Sequence, residues 1–289
     1  MRLPNAELLL PPDVCQVSIL RKEPMKDLVY KLTLGGVGYA IEMVFVEGTN
    51  GELYQFGGDE QHFVGRRAGV SSDDFGKQSI NVQNFYISRS PVTQAVWMHF
   101  MDGQNPSGNK GALNPVECVS YDSITGSEGF LERINSRAIP ECFSNDLADF
   151  DRHHFRLPSE TEWEYAARGG KAWKDDHQFS GSNDVDEVAW YVDNSGQVTH
   201  PIMQKKPNQL GLYDMSGNVW EWCEDLMDRD ISRIPKDGKP QLVSGSDRIL
   251  RGGCNHNWAI HCTVWKRYEL APQYADENIG FRLVFAPDR

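Results

Sequence analysis

Four side chains near the C-terminus have the residue types of a metal site. Cys254 and Cys262 offer thiolates and His256 and His261 offer imidazoles, which together could hold zinc in a tetrahedron. The spacing C-x-H-x4-H-C is not that of a familiar zinc motif, however, and adjacent residues of an extended segment point to opposite faces. The pattern favours another interpretation for Cys262, that of a small buried hydrophobe.

The surrounding stretch, residues 251–282, mixes aromatic, charged and amide side chains in no repeating period. Tryptophan and tyrosine provide rigid contact area with a polar handle, a composition typical of recognition surfaces. A single aromatic residue in a globular protein more often belongs to the core. The residues alone leave both interpretations open.

Capping signals locate the helices that would have to position this stretch. Thr93 is a suitable N-cap for a helix with an apolar face that includes Trp97 and Phe100. Within residues 155–170, Ser159 and Glu162 form a capping box, and a pair of glycines ends the helix.

Weaker patterns suggest the remaining elements. Strands are predicted at residues 39–46, 84–88, 116–120 and 219–223, a further helix at 123–137, and loops with a hairpin over 48–79.

Composition excludes several classes of function. The 289 residues carry a net charge of -12 and no block of Lys or Arg, which argues against a nucleic-acid partner. No apolar run approaches the roughly 18 residues of a membrane span. The six cysteines are widely separated and form no small disulfide framework.

Five blocks of sequence, in order, carry a family resemblance. They are FYISRSPVTQAVW (85–97), NPVECVSYDSI (114–124), FRLPSETEWEYAARGG (155–170), LGLYDMSGNVWEWCED (210–225) and the pair ILRGGC and NIGFRLV within 249–284. The chain resembles the formylglycine-generating-enzyme or sulfatase-modifying-factor domain family. The resemblance implies an α+β, C-type-lectin-like fold, rich in loops, with two main helices and small antiparallel sheets. It also implies an N-terminal extension at 1–40 and one domain at 41–289.

The resemblance implies one enzymatic alternative. Formylglycine-generating enzymes hold copper with two thiolates, a ligand type that selects Cu(I). The corresponding positions are Asn257 and Cys262, so a second thiolate would have to come from Cys254. We therefore expect no enzyme, and keep a copper-dependent oxidase that converts a sulfatase cysteine to formylglycine as the alternative.

Within the same family, the chain is most similar to the variable proteins of diversity-generating retroelements, whose C-terminal segment binds ligand. Their fixed points have counterparts at Ala259, Cys262, Arg267, Pro272 and 278–282. Because this fold presents its ligand face there, we expect Trp258, Trp265, Tyr268 and Tyr274 to be exposed, and Trp163, Trp220 and Trp222 to be core. The residues that we assign to ligand binding, within a variable segment of about 250–282, are Asn255, His256, Asn257, Trp258, Ile260, His261, Thr263, Trp265, Lys266, Tyr268, Glu269, Leu270 and Tyr274.

Two features leave alternatives open. Asparagine codons altered only at adenines cannot yield Trp, Lys, Gln or Glu, so some of these positions require other template codons or were never variable. A binding or regulatory domain that lost activity without diversification would also account for the residues.

The resemblance implies a structural calcium as well. Relatives bind it through positions that correspond to Asp214 and Glu221 and through the backbone oxygens of Gly217 and Val219, and hard oxygen ligands suit this ion. The alternative is a plain turn whose carboxylates accept hydrogen bonds from nearby donors.

The leading hypothesis is a receptor-type protein that needs no cofactor. Its partner would be a protein or another macromolecule, and we expect a monomer. The resemblance implies a cell-surface or extracellular location, and the sequence leaves the cytoplasm open.

Overall fold

A computed structural model describes the backbone of residues 16–19, 28–34, 37–58, 76–142 and 152–287, and side chains within 37–58, 76–137 and 152–287. The strands are β1 (Gln16–Ile19), β2 (Leu28–Leu34), β3 (Val37–Val46), β4 (Tyr54–Phe56), β5 (Gln78–Ile80), β6 (Phe85–Ser88), β7 (His153–Arg156), β8 (Trp220–Leu226), β9 (Arg248–Arg251), β10 (Arg267–Leu270), β11 (Ile279–Gly280) and β12 (Val284–Pro287). The α-helices are α1 (Gln94–Phe100), α2 (Tyr121–Thr125), α3 (Phe130–Cys142), α4 (Glu160–Ala167) and α5 (Val185–Val188).

The larger sheet joins the beginning of the described chain to its end. Its strand order is β1-β2-β3-β6-β12-β7, and every neighbouring pair is antiparallel. Residue 40, the predicted end of an N-terminal extension, lies inside β3, and strand pairing continues through β2 to β1. Strands of the predicted extension therefore belong to the same sheet as the predicted domain.

A second sheet, with the order β10-β9-β8-β11, includes three short stretches of the C-terminal segment, residues 251–282. Strands β10, β9 and β8 are antiparallel, whereas β11 pairs with β8 in parallel and aligns Ile279 with Trp220. Strands β4 and β5 form a separate antiparallel two-stranded sheet, and residues 59–75, within the predicted hairpin region, lie outside the described residues.

The C-terminal segment thus starts at the end of β9, contributes β10 and β11 to the same sheet, and is irregular between these strands.

The capping signals are confirmed. The Thr93 hydroxyl accepts a hydrogen bond from Val96 N at the start of α1. Ser159 and Glu162 form the reciprocal capping box of α4. The chain is an α+β protein with short helices and long loops, and α3 and α4 are the longest helices among the described residues.

Two local predictions are wrong. The helix expected over 123–137 is broken between α2 and α3, where Gly126 and Gly129 each lie against backbone carbonyls of the preceding turn. The strand expected at 116–120 is a loop, because Cys118 adopts a left-handed φ of 59° and its N–H donates to the distant Asp276 carbonyl.

The core consists of two large apolar clusters. Trp163, Trp220 and Trp222 are 0%, 5% and 0% exposed, as predicted. Trp97 stacks on Phe130 with the ring centroids 5.3 Å apart, which packs α1 against α3. Over the described parts of the chain, the structure contains no helix long and apolar enough to cross a membrane.

Candidate ligand-binding site

The C-terminal segment begins at a turn that only glycine permits. Gly252 and Gly253 have positive φ values of 95° and 73°. A Cβ on Gly253 would lie 2.6 Å from the His261 carbonyl oxygen and 2.8 Å from Cys262 Sγ. The segment therefore folds back on its own start directly after β9.

Buried ion pairs fix the segment to helix α4. Arg251 donates to Glu160 at 3.0 Å and to Glu164 at 2.6 Å, and all three side chains are fully buried. Arg267 donates to both carboxylate oxygens of the same Glu160, at 2.7 and 2.8 Å. Separating one partner would leave a buried charge uncompensated, which is strongly unfavourable. These ion pairs therefore keep the backbone of the segment in one position relative to α4.

A third buried arginine fixes the end of the segment. Arg282 donates to both carboxylate oxygens of Glu221, at 2.6 and 2.8 Å, and the Trp163 indole N–H donates to Glu221 at 2.6 Å. The start, middle and end of residues 251–282 are thus anchored independently of the side chains between the anchors.

Between the anchors, three of the four aromatic side chains are exposed as predicted. Trp258 is 62% exposed, Tyr268 is 45% and Tyr274 is 46%. Six further residues assigned to binding are partly exposed, namely His256, Asn257, Ile260, His261, Glu269 and Leu270.

The predicted exposure of Trp265 is wrong. Its side chain is 2% exposed and packs in the core, with the Arg168 guanidinium 5.8 Å from the ring centroid. The assignment of Asn255 and Thr263 to the ligand surface is wrong as well, because each is only 1% exposed. The Asn255 carbonyl accepts a hydrogen bond from Ser195 Oγ, which draws the backbone inward there.

A cavity of about 310 Å³ opens on this face. Its walls combine aromatic, aliphatic, amide and charged groups: Trp220, Asn257, His261, Lys266, Tyr268, Leu270, Tyr274, Asp276, Asn278 and Ile279. Six of these were assigned from sequence, and Lys266 reaches the cavity although only 8% of it is exposed.

The cavity also uses residues that sequence reasoning did not assign to binding. Trp220 stacks beneath Tyr268, with centroids 5.3 Å apart and an interplanar angle of 24°. Asp276 accepts a hydrogen bond from the Tyr274 hydroxyl at 3.0 Å. Trp220 was correctly predicted to be buried, and it also lines the cavity beside Ile279, its partner in the parallel pairing of β8 with β11.

Both thiols of the segment are buried. The Cys254 thiol donates to the Asn257 side-chain oxygen at 3.1 Å, and burial raises its pKa to about 12. Cys262 is fully buried, and burial raises its thiol pKa well above the ordinary value. Cu(I) binds the thiolate form, so a two-thiolate copper site here would have to displace both protons.

The carboxylates of the calcium site implied by the resemblance accept hydrogen bonds from protein donors. Both oxygens of Glu221 accept from Arg282, and one also accepts from Trp163. Asp214 accepts from Met203 N and from the Asn218 amide. No group of three His, Cys, Asp or Glu placed to bind a metal occurs within the described ranges, but the site of Asp214, Glu221, Gly217 and Val219 has only two such side chains and stays a prediction.

The α+β frame of small sheets, with long loops and an anchored but irregular C-terminal segment, is a C-type-lectin-like fold. The chain belongs to the sulfatase-modifying factor enzyme 1-like domain family, whose model matches residues 39–287.

Known proteins of three kinds resemble this chain. Treponema denticola variable protein 1 superposes with a TM-score of 0.69 at 28% identity and covers 96% of this chain and 100% of that one. The chaperone protein LppX of Paenibacillus barcinonensis is 36% identical over 225 residues, 64% of this chain and 74% of LppX. The mouse formylglycine-generating enzyme is 33% identical over 183 residues, 58% of this chain and 49% of the enzyme. The predicted fold and the resemblance to variable proteins are confirmed.

Proposed function

We propose that this chain is a non-enzymatic ligand-binding protein whose C-terminal segment, about 250–282, is diversified by a retroelement. One observation carries the proposal: Trp258, Tyr268 and Tyr274 are exposed, and the two tyrosines line a cavity, while Arg251 and Arg267 anchor the backbone of the same segment. The superposition on Treponema denticola variable protein 1, which covers 96% of this chain, supports the proposal.

The anchors explain how such a segment could vary and still fold. Stability in this region comes from buried ion pairs and core side chains, whereas exposed loop side chains contribute little to it. Exposed aromatic residues are the usual anchors of binding energy at interfaces. The expected partner is a protein or another macromolecule, and we expect this chain to bind it as a monomer at the cell surface.

The flanking DNA tests diversification directly. We expect a reverse transcriptase gene beside an adenine-rich near-copy of codons 250–282. The near-copy should differ from the coding sequence mainly at codons of exposed residues such as His256, Trp258 and Tyr268. A complete genomic neighbourhood that contains neither would refute diversification and leave a binding protein of fixed sequence.

The second candidate function is that of the formylglycine-generating enzymes, and the 33% identity to the mouse enzyme favours it. Titration with Cu(I) under reducing conditions separates the two candidates. Tight stoichiometric binding that Cys262→Ser abolishes would replace our proposal with the oxidase, whereas the buried thiols predict weak binding that the substitution leaves unchanged.

A further inference from the structure

A tyrosine and an aspartate of the cavity wall form a hydrogen-bonded pair. The Tyr274 hydroxyl donates to Asp276 Oδ2 at 3.0 Å, and Glu277 N donates to Asp276 Oδ1 at 2.7 Å. A carboxylate has about four acceptor sites, so these two bonds do not exhaust them. Because the hydroxyl hydrogen of Tyr274 is used within the pair, its oxygen can act toward a ligand only as an acceptor.

The charge of Asp276 keeps this pair together. The hydrogen bond to Asp276 and the negative charge of that carboxylate raise the pKa of Tyr274 above its ordinary value. The hydroxyl therefore stays protonated at neutral pH and continues to donate to Asp276. This part of the wall offers negative charge and hydrogen-bond acceptors, which a ligand has to match with donors.

A fixed aromatic ring belongs to the same cavity. Tyr268 and Trp220 both line it, and their rings stack with the centroids 5.3 Å apart. Trp220 is 5% exposed and part of the core, so it supports the Tyr268 ring, which is 45% exposed. A tyrosine ring attracts a cation placed over its face, and carboxylate and ring together suit a cationic ligand.

Two basic residues of the wall, His261 and Lys266, would suit an anion instead. Lys266 is only 8% exposed, whereas Asp276 is partly exposed. The chain as a whole carries a net charge of -12, which raises the concentration of cations near its surface. The distribution of charge therefore favours a cationic ligand over an anionic one.

Resting on the function proposed above, we propose that the cavity binds a guanidinium group, which lies against Tyr268 and donates hydrogen bonds to Asp276. Guanidinium is planar, so it stacks on an aromatic ring, and its N–H groups form a fork that matches a carboxylate. A compact ammonium group would use the carboxylate but would stack less well on the ring.

This preference belongs to the present version of the segment. Tyr268, Tyr274 and Asp276 all lie within about 250–282, so rewriting them would change the chemistry that the cavity accepts. Trp220 lies outside the segment and would provide the same aromatic base to every version.

Blocked amino acids of matched shape are the probes. Nα-acetyl-arginine methylamide carries the cation, the citrulline derivative is a neutral group of nearly the same shape, and the glutamate derivative carries an anion. Nuclear magnetic resonance titration of the whole chain measures their dissociation constants. We expect the arginine derivative to bind at least about ten-fold more tightly than either of the others.

Asp276→Asn tests the contact itself, because the amide oxygen can still accept from Tyr274 and from Glu277 N. Glu277→Gln is a matched control, since Glu277 is the next residue, is exposed and does not line the cavity. We expect Asp276→Asn to weaken the arginine derivative about ten-fold and the control to weaken it less than about two-fold, with unchanged thermal unfolding.

The outcomes separate this proposal from the proposed function. Equal affinity for the arginine and citrulline derivatives, or tighter binding of the glutamate derivative that Tyr268→Ala abolishes, overturns the guanidinium ligand and leaves a binding protein. Binding of propylguanidine without the arginine derivative supports the guanidinium site and contradicts a macromolecular partner. If no probe binds at millimolar concentration, the guanidinium ligand is overturned, while the flanking DNA still decides diversification.

Discussion

At the scale of single residues, Trp258 and Trp265 occupy the same segment and meet opposite surroundings. Trp258 is 62% exposed, whereas Trp265 is 2% exposed and packed in the core. Residue type and position in the segment are alike, so local sequence alone did not separate them. The difference fixes which of the two can contact a ligand.

Trp265→Ala should therefore destabilise the fold by about 3–5 kcal/mol, the cost of truncating a buried aromatic residue. Trp258→Ala should change the free energy of unfolding by no more than about 0.5 kcal/mol. Urea denaturation followed by far-ultraviolet circular dichroism measures both. Equal effects of the two substitutions would contradict the assignment of Trp265 to the core.

Asp214 gives the stability of the protein a pH dependence. Burial raises its pKa to about 6 from an ordinary value of 3.8, although Arg282 lies close enough to oppose the shift. A raised pKa means that the folded state holds the proton more tightly than the unfolded chain. The contribution of Asp214 to stability is thus complete below about pH 4 and is lost as the pH rises through about 6.

Asp214→Asn should remove this contribution. Asparagine also tolerates the left-handed φ of 55° at this position, so the backbone should not be strained. Relative to the variant, wild-type protein should lose on the order of 2 kcal/mol of stability between pH 4 and pH 7. Urea midpoints measured at intervals across that range provide the check, and parallel curves for the two proteins would rule the effect out.

At the scale of elements, helix α4 anchors the C-terminal segment, residues 251–282. Glu160 lies at its first turn and accepts hydrogen bonds from both Arg251 and Arg267. The capping box fixes where α4 begins, which places Glu160 where the two arginines reach it. A local sequence signal therefore determines the placement of a site remote in sequence.

Arg267→Ala should cost about 3–5 kcal/mol, because it leaves Glu160 buried with one cation fewer. Arg229→Ala is a matched control, because Arg229 forms a surface ion pair with Glu269, which lies on the same strand β10 as Arg267. This substitution should cost less than about 1 kcal/mol of stability. Thermal unfolding of both variants decides this. Similar costs would mean that the buried pair does not anchor the segment.

The elements also show where sequence reasoning was reliable. Caps at Thr93 and Ser159 predicted α1 and α4 because a cap is a local hydrogen bond between near neighbours. The strand predicted at 116–120 failed because the backbone of Cys118 pairs with Asp276, far along the chain. A pattern of apolar residues cannot report a partner that only the fold brings near.

At the scale of the whole molecule, the residues that hold the fold and those proposed to bind ligand form separate sets. The buried set includes the anchoring arginines and Trp265, and the exposed set includes Trp258 and the cavity-lining Tyr268 and Tyr274. Sites without shared partners have nearly additive effects on stability. The fold should therefore accept many substitutions in the exposed set at once.

A variant with His256, Trp258, Tyr268 and Tyr274 all replaced by alanine should lose target binding but less than about 3 kcal/mol of stability. The contrasting triple replacement of Asn255, Thr263 and Trp265 should destabilise the protein more, although it changes fewer residues. Calorimetry measures stability, and the affinity for a peptide selected on the wild-type protein from a random library measures binding. A quadruple variant that no longer folds would show that recognition and stability are not separable.

The sequence by itself determined the family, the capped helices and the absence of any block of Lys or Arg. These properties depend on ordered motifs, near-neighbour hydrogen bonds and composition, all of which are local or additive. Only the tertiary structure decided that Trp265 points inward, that Trp220 and Asp276 border the cavity and that Glu221 is paired with Arg282. In a segment without a repeating period, the direction of each side chain is set by distant anchors rather than by spacing.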